Sequence, residues 1–202
     1  HRMSKKMRIL GSTAHGAEER QVRDYYATDP QALFDLFSAI QEDEGNSFWK
    51  GNNIWEPACG DGNLSNAMRK LGYTVHETDI HDYGTGHEVL NFLEHQKPGE
   101  WKGNIVTNPP YKTGKKFIEK AIESIDVGYK AAFLMRIQFL ESKGRHEFFK
   151  KFPPKFVYVF SSRIRIFKNN DQIKYSGGQP LCYTWLIWEK GFVGDTTLRW
   201  IK

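Results

Sequence analysis

Hydrophobic spacing along the chain switches repeatedly between a helical and a strand period. Leu33, Phe34, Leu36, Phe37 and Ile40 fall at helical spacing, with Asp29 placed as a cap and Pro30 at the first helical position. That helix is expected to stop in the acidic, glycine-containing stretch 42–45. A short strand over 53–56 leads into a turn at 57–63. A helix over 64–71 follows, with Gly72 suited to the left-handed residue after it. Residues 73–78 alternate as a strand that stops at Asp79-Ile80, and 89–93 and 105–107 read as further strands. A helix is expected over 115–125, a central strand over 130–135, and a helix over 141–151 halted by Pro153-Pro154. Strands over 156–160 and 183–188 complete the pattern.

The stretch 168–180 between the last two strands is polar, glycine-rich and without helical period. Parallel neighbours need a crossover of about a dozen residues, usually a helix, so this pair is expected to be antiparallel. The order predicts an α/β class: a doubly wound, mostly parallel, seven-stranded sheet with one antiparallel strand in a C-terminal hairpin. With no repeat and no linker, residues 21–202 read as a single domain. Residues 1–20 read as a flexible basic arm, of which His1-Arg2-Met3 resembles a cloning remnant.

Composition changes this picture little. The chain has 202 residues and a net charge of +5, which is compatible with a polyanionic partner but not diagnostic of one. No apolar run approaches the roughly 20 residues of a membrane span. Two cysteines, Cys59 and Cys182, are too few for a disulfide framework and fit a cytoplasmic protein with reduced thiols. His76, His81, His87 and His95 lack metal-ligand spacing, so no metal site is expected.

Chemistry is concentrated at predicted strand ends, the edge at which open α/β sheets bind ligands. After the first sheet strand, Glu56-Pro57-Ala58-Cys59-Gly60-Asp61-Gly62 offers glycines for close backbone approach. Its spacing is neither GxGxxG nor GxxxxGK[ST], and the carboxylates of Glu56 and Asp61 would repel phosphate. They suit a cofactor bearing an amino group and a sulfonium. Asp79 is placed to accept from ribose hydroxyls, Ile80 to cover an adenine face, and Asn91 to read an adenine edge.

The most specific feature is Asn108-Pro109-Pro110-Tyr111. By average composition such a tetrapeptide arises about once in a thousand chains of this length. Two prolines end the preceding strand in a rigid corner. An exocyclic amine on an aromatic base is a poor nucleophile, because its lone pair is delocalised into the ring. The Asn108 side-chain oxygen and the Pro109 carbonyl can accept its two N–H groups and aim that lone pair, while Tyr111 stacks on the base.

These motifs together resemble the amino-methyltransferases dependent on S-adenosylmethionine, most of all the small phage or prophage DNA adenine-N6 methyltransferases. The resemblance spans most of the chain and implies a Rossmann-like methyltransferase fold. It matches Tyr25 to Pro30 to the opening cofactor motif, with Tyr26 and Thr28 at the methionine end. It matches Glu56 to Gly62 to the methionine loop, Asp79-Ile80 to the ribose and adenine contacts, and Asn91-Phe92 to a further adenine contact, where aspartate is the commoner residue. Asn108 to Tyr111 correspond to the catalytic motif, with Asn108 also near the cofactor. The resemblance further puts Arg163 to Phe167 over the active site, with Phe167 opposite Tyr111 on an extruded adenine. Arg163, Arg165, Lys112, Lys115, Lys116 and Lys168 become candidate phosphate contacts.

The implied activity is methyl transfer to adenine N6 in DNA, in the cytoplasm of a bacterial or phage-infected cell. The oligomeric state stays open between a monomer and a weak dimer. About fourteen residues follow Trp188, so no separate target-recognition domain is expected. Rival readings are an RNA-base or protein-glutamine methyltransferase, or a catalytically silent nucleic-acid-binding protein of the same fold.

Overall fold

A computed structural model describes residues 26–95, 99–168 and 182–202, with backbone alone for Tyr26, Phe167 and Lys168. The expected basic arm, Tyr25 and most of the stretch 168–180 lie outside the described residues.

The main sheet contains β2 (Asn53–Glu56), β3 (Thr74–Asp79), β4 (Glu88–Val89), β5 (Asn104–Thr107), β6 (Lys130–Arg136), β7 (Phe156–Phe160), β9 (Tyr183–Glu189) and β10 (Thr197–Ile201). Its order is β4-β3-β2-β5-β6-β9-β7-β10. β9 runs antiparallel to both β6 and β7, and the other neighbouring pairs are parallel. The strand order reverses between β2 and β5, which opens a crevice at their carboxyl ends.

The central strands are buried on both faces, as their apolar runs require. Val106, Ala132 and Leu134 face one core with α1 (Gln31–Glu44) and α2 (Asn63–Lys70). Ile105, Ala131 and Phe133 face the other, with α3 (Gly114–Ser124) and α4 (His146–Lys151). Trp185 on β9 donates its Nε1 to the Ala32 carbonyl at 3.1 Å, so the start of α1 is fixed to the middle of the sheet. The helix begins at Gln31 with Pro30 in the cap position, one residue later than expected, and Asp29 Oδ1 accepts from Gln31 N at 2.9 Å. Gly72 ends α2 with φ +93° and donates to the Arg69 carbonyl.

Several sequence expectations are corrected. The sheet has eight strands rather than seven, because β10 adds to β7 at the edge. Its pattern concealed it: Leu198 and Trp200 are exposed and Ile201 is buried. The expected strand over 89–93 is only Glu88–Val89, followed by a 3-10 turn at Phe92–Glu94. The expected helix over 141–151 is helical only from His146, since Ser142 and Gly144 break the run into 3-10 turns. Arg145 bonds the carbonyls of Gln138, Phe139 and Glu141 across that break. A separate two-stranded ribbon, β1 (Tyr26–Thr28) with β8 (Ile166–Lys168), was not foreseen.

Candidate active site

Four loops meet at the carboxyl edge of the sheet. The first is the glycine turn after β2, where Gly60 and Gly62 take φ values of +54° and +90° that side chains with a Cβ resist. Asp79, at the end of β3, holds this turn. Its Oδ2 accepts from Gly60 N and its Oδ1 from His81 N, both at 2.9 Å. Cys59 N adds a bond to the Thr78 carbonyl at 3.0 Å. Each carboxylate oxygen of Asp79 retains acceptor capacity beyond its one amide. Ile80, next in sequence, is 52% exposed.

Glu56 is 2% exposed, and its Oε2 has no hydrogen-bond partner among the described residues. Burial first, then the Glu77 and Asp79 carboxylates, hold its carboxyl well above the usual carboxylate range, against the pull of Arg69. The pairing of β2 with β3 brings this about, since it sets Glu56 beside Glu77. Such an acidic, partly orphaned cluster beside open backbone accommodates a cationic ligand. Cys59 is no nucleophile, because burial and the same carboxylates push its thiol up.

Asn91 caps the 3-10 turn after β4, its side-chain oxygen accepting from Leu93 N at 3.2 Å, which leaves its amide hydrogens for other partners. Phe92 is 1% exposed and packs between Trp55 and Phe117, so its ring serves the core.

The proline corner follows β5. Pro109 is buried and Pro110 exposed, and the Pro110 carbonyl accepts from Thr113 N at 3.1 Å, which turns the chain towards α3. Asn108 Nδ2 donates to Thr28 Oγ1 at 2.9 Å. This leaves the Asn108 Oδ1, which is shielded and has no partner among the described residues. Thr28 belongs to the ribbon, where Ala27 pairs with Phe167 and Thr28 with Ile166, and Asp29 N bonds the Arg165 carbonyl at 3.1 Å. The opening motif and the segment 163–167 are therefore joined to each other and to the corner.

Tyr111 lies against Tyr183, with ring centres 6.0 Å apart, and Arg136 places its guanidinium 4.7 Å from the Tyr111 ring centre. Burial, then Tyr183, pushes the Tyr111 phenol well above its ordinary value, with Asn108 and Arg136 pulling the other way. Lys112, Lys115, Lys116, Arg163 and Arg165 are exposed around the site. Arg136 and Tyr183 escaped the sequence reading because each sits in an apolar strand pattern. Only the pairing of β6 with β9, Arg136 opposite Tyr183, brings them to the corner.

No protein-family model matches the sequence, and no curated protein sequence matches it significantly. Solved structures do resemble it. A Listeria monocytogenes protein described as a class I S-adenosylmethionine-dependent methyltransferase is 17% identical, with a TM-score of 0.54 over 85% of this chain and 63% of its own. A Vibrio vulnificus chain described as the modification subunit of a type I restriction enzyme is 14% identical, with a TM-score of 0.54. That match covers 90% of this chain and 49% of the Vibrio one, so this chain spans about half of that subunit. The Burkholderia thailandensis 1,6-didemethyltoxoflavin-N1-methyltransferase, solved with S-adenosylhomocysteine, is 10% identical, with a TM-score of 0.50 over 94% of this chain and 98% of its own. At such identities the likeness is one of fold, and the fold of this chain is the Rossmann-like sheet of the S-adenosylmethionine-dependent methyltransferases.

Proposed function

We propose that this protein transfers a methyl group from S-adenosylmethionine to the N6 amine of adenine in DNA, with the target base turned out of its stack. The observation that carries this reading is the Asn108 amide: its nitrogen is committed to Thr28 and its shielded oxygen lacks a partner among the described residues. A shielded acceptor of this kind costs free energy until an N–H reaches it. A base amine held there and at the Pro109 carbonyl has its lone pair directed out of the ring plane. Proteins sharing this fold act on acceptors as different as a restriction system's target and a small heterocycle, so the choice of acceptor rests on the corner and on the family resemblance.

The residues fit the cofactor. Glu56, with its unmatched buried oxygen, would hold the cationic amino group, Asp79 would accept from the ribose, and exposed Ile80 would cover the adenine. When bound, the cofactor supplies an electrophilic methyl group on a sulfonium. Asn108 and Pro109 orient the amine for an in-line displacement and stabilise the positive charge that develops on it. Tyr111 supplies one stacking face, the second being assigned by the resemblance to Phe167, whose side chain lies outside the described residues, while Lys112, Arg163 and Arg165 meet the phosphates. No side chain takes a proton first, since the amine loses it only after its charge has formed. Incubation with labelled cofactor and unmethylated bacterial DNA, followed by nucleoside mass spectrometry, tests the reading. N6-methyl-2′-deoxyadenosine in the digest supports it, and label confined to RNA or protein acceptors overturns it.

A further inference from the structure

Arg136 ends β6, beside the β5 terminus that carries the corner, and its guanidinium lies 4.7 Å from the Tyr111 ring centre. The side chain is half-buried, and its shielded Nε has no hydrogen-bond acceptor among the described residues. Three other arginines are committed within the protein. Arg69 reaches Glu77, Arg199 reaches Glu44, and Arg145 bonds three carbonyls. Arg136 makes no ion pair with a carboxylate among the described residues.

A guanidinium stays charged at every working pH and presents its N–H donors in a planar fork. Charge drawn out of water without a partner is costly, and a shielded unmet N–H adds to that cost. The missing partner is therefore an anion that arrives with a ligand. The base itself is the wrong acceptor, because a cation bonded to it would oppose the positive charge that develops on its amine. A base stacked on Tyr111 brings its own phosphodiester near that ring, and a phosphate oxyanion matches the guanidinium fork.

Resting on the methyl-transfer reading above, we infer that Arg136 is a substrate-binding residue that takes the phosphodiester adjoining the target base while packing on the Tyr111 ring. One side chain thereby couples the position of the stacking ring to the nucleic-acid backbone.

The test compares wild type with Arg136→Met, which keeps an apolar stem, and Arg136→Lys, which keeps the charge. The readouts are kcat/KM for methyl transfer to unmethylated bacterial DNA across a salt series, and cofactor affinity by calorimetry as the check on folding. Arg136→Met is expected to lower kcat/KM about tenfold to a hundredfold and to flatten its salt dependence by about one phosphate contact. Arg136→Lys is expected to recover most of the salt slope, and both variants to keep their cofactor affinity. A loss of kcat in Arg136→Met with an unchanged salt slope would reduce Arg136 to a support for Tyr111 and overturn the inference. Weakened cofactor binding with an unchanged slope would overturn it too, by moving the anion to the cofactor. Wild-type protein inactive on DNA overturns the proposed function and this inference together, whereas an active wild type with an unaltered Arg136→Met slope overturns the inference alone.

Discussion

Asn108 and Thr28, 80 positions apart in sequence, are joined by a hydrogen bond of 2.9 Å from the Asn108 Nδ2 to the Thr28 hydroxyl. That bond fixes which end of the amide faces the site, and it ties the corner to the β1–β8 ribbon. Thr28→Val keeps the shape and removes the acceptor. We expect kcat to fall roughly tenfold to a hundredfold, more than cofactor affinity does, with Thr28→Ser restoring most of it. Single-turnover methyl transfer measures this, and a Val variant at wild-type rate would separate the hydroxyl from catalysis.

Asp79 holds the glycine turn, proposed to seat the cofactor, through two backbone amides at 2.9 Å each. Asp79→Ala removes both charge-assisted bonds and leaves Gly60 N–H and His81 N–H to find other acceptors. Cofactor affinity should drop by about a hundredfold or more. Titration calorimetry with S-adenosylmethionine gives the answer directly, and unchanged affinity would place the cofactor elsewhere.

Glu56 is expected to make the site respond to pH. Its folded carboxyl is held above the unfolded value by burial and by Glu77 and Asp79. Its contribution to stability is therefore whole below the usual carboxylate range and is lost as pH rises through the folded value. A cationic cofactor beside Glu56 favours the ionised form, so binding should release a proton and tighten as pH rises through that same window. Calorimetry in buffers of different ionisation heat should register the released proton in wild type and not in Glu56→Gln. Equal proton counts in the two proteins would count against the contact.

The proposed function gives the Tyr111 ring a stacking role, and its phenol lies near both Tyr183 and Asn108. Tyr111→Phe should keep transfer within about tenfold of wild type, whereas Tyr111→Ala should lose roughly tenfold to a hundredfold, the worth of one stacked base. Equal losses in the two variants would assign the work to the hydroxyl instead.

What the sequence disclosed follows from how local each signal is. The strand ends at Glu56, Asp79 and Thr107, and the reversed β9, were legible because apolar runs and turn residues are neighbours in the chain. β10 was not, since an edge strand whose Leu198 and Trp200 are exposed carries no inward alternation. The β1–β8 ribbon joins segments more than a hundred positions apart and has only three residues a side, too few for a period. At the site, the corner could be read from four adjacent residues, but Arg136 could not. In sequence it only closes an apolar strand, and its proximity to Tyr111 comes from the sheet. Asn91 and Phe92 show the opposite outcome: a motif read as a ligand contact has its amide oxygen capping a turn and its ring in the core.

In the proposed mechanism the Asn108 side-chain oxygen holds the amine that receives the methyl group. The decisive measurement is Asn108→Ala against wild type, assayed for N6-methyl-2′-deoxyadenosine in previously unmethylated DNA, with cofactor binding measured in parallel. The prediction is methyl transfer reduced by at least about a thousandfold with cofactor affinity little changed. Transfer at the wild-type rate by the Asn108→Ala protein would contradict it.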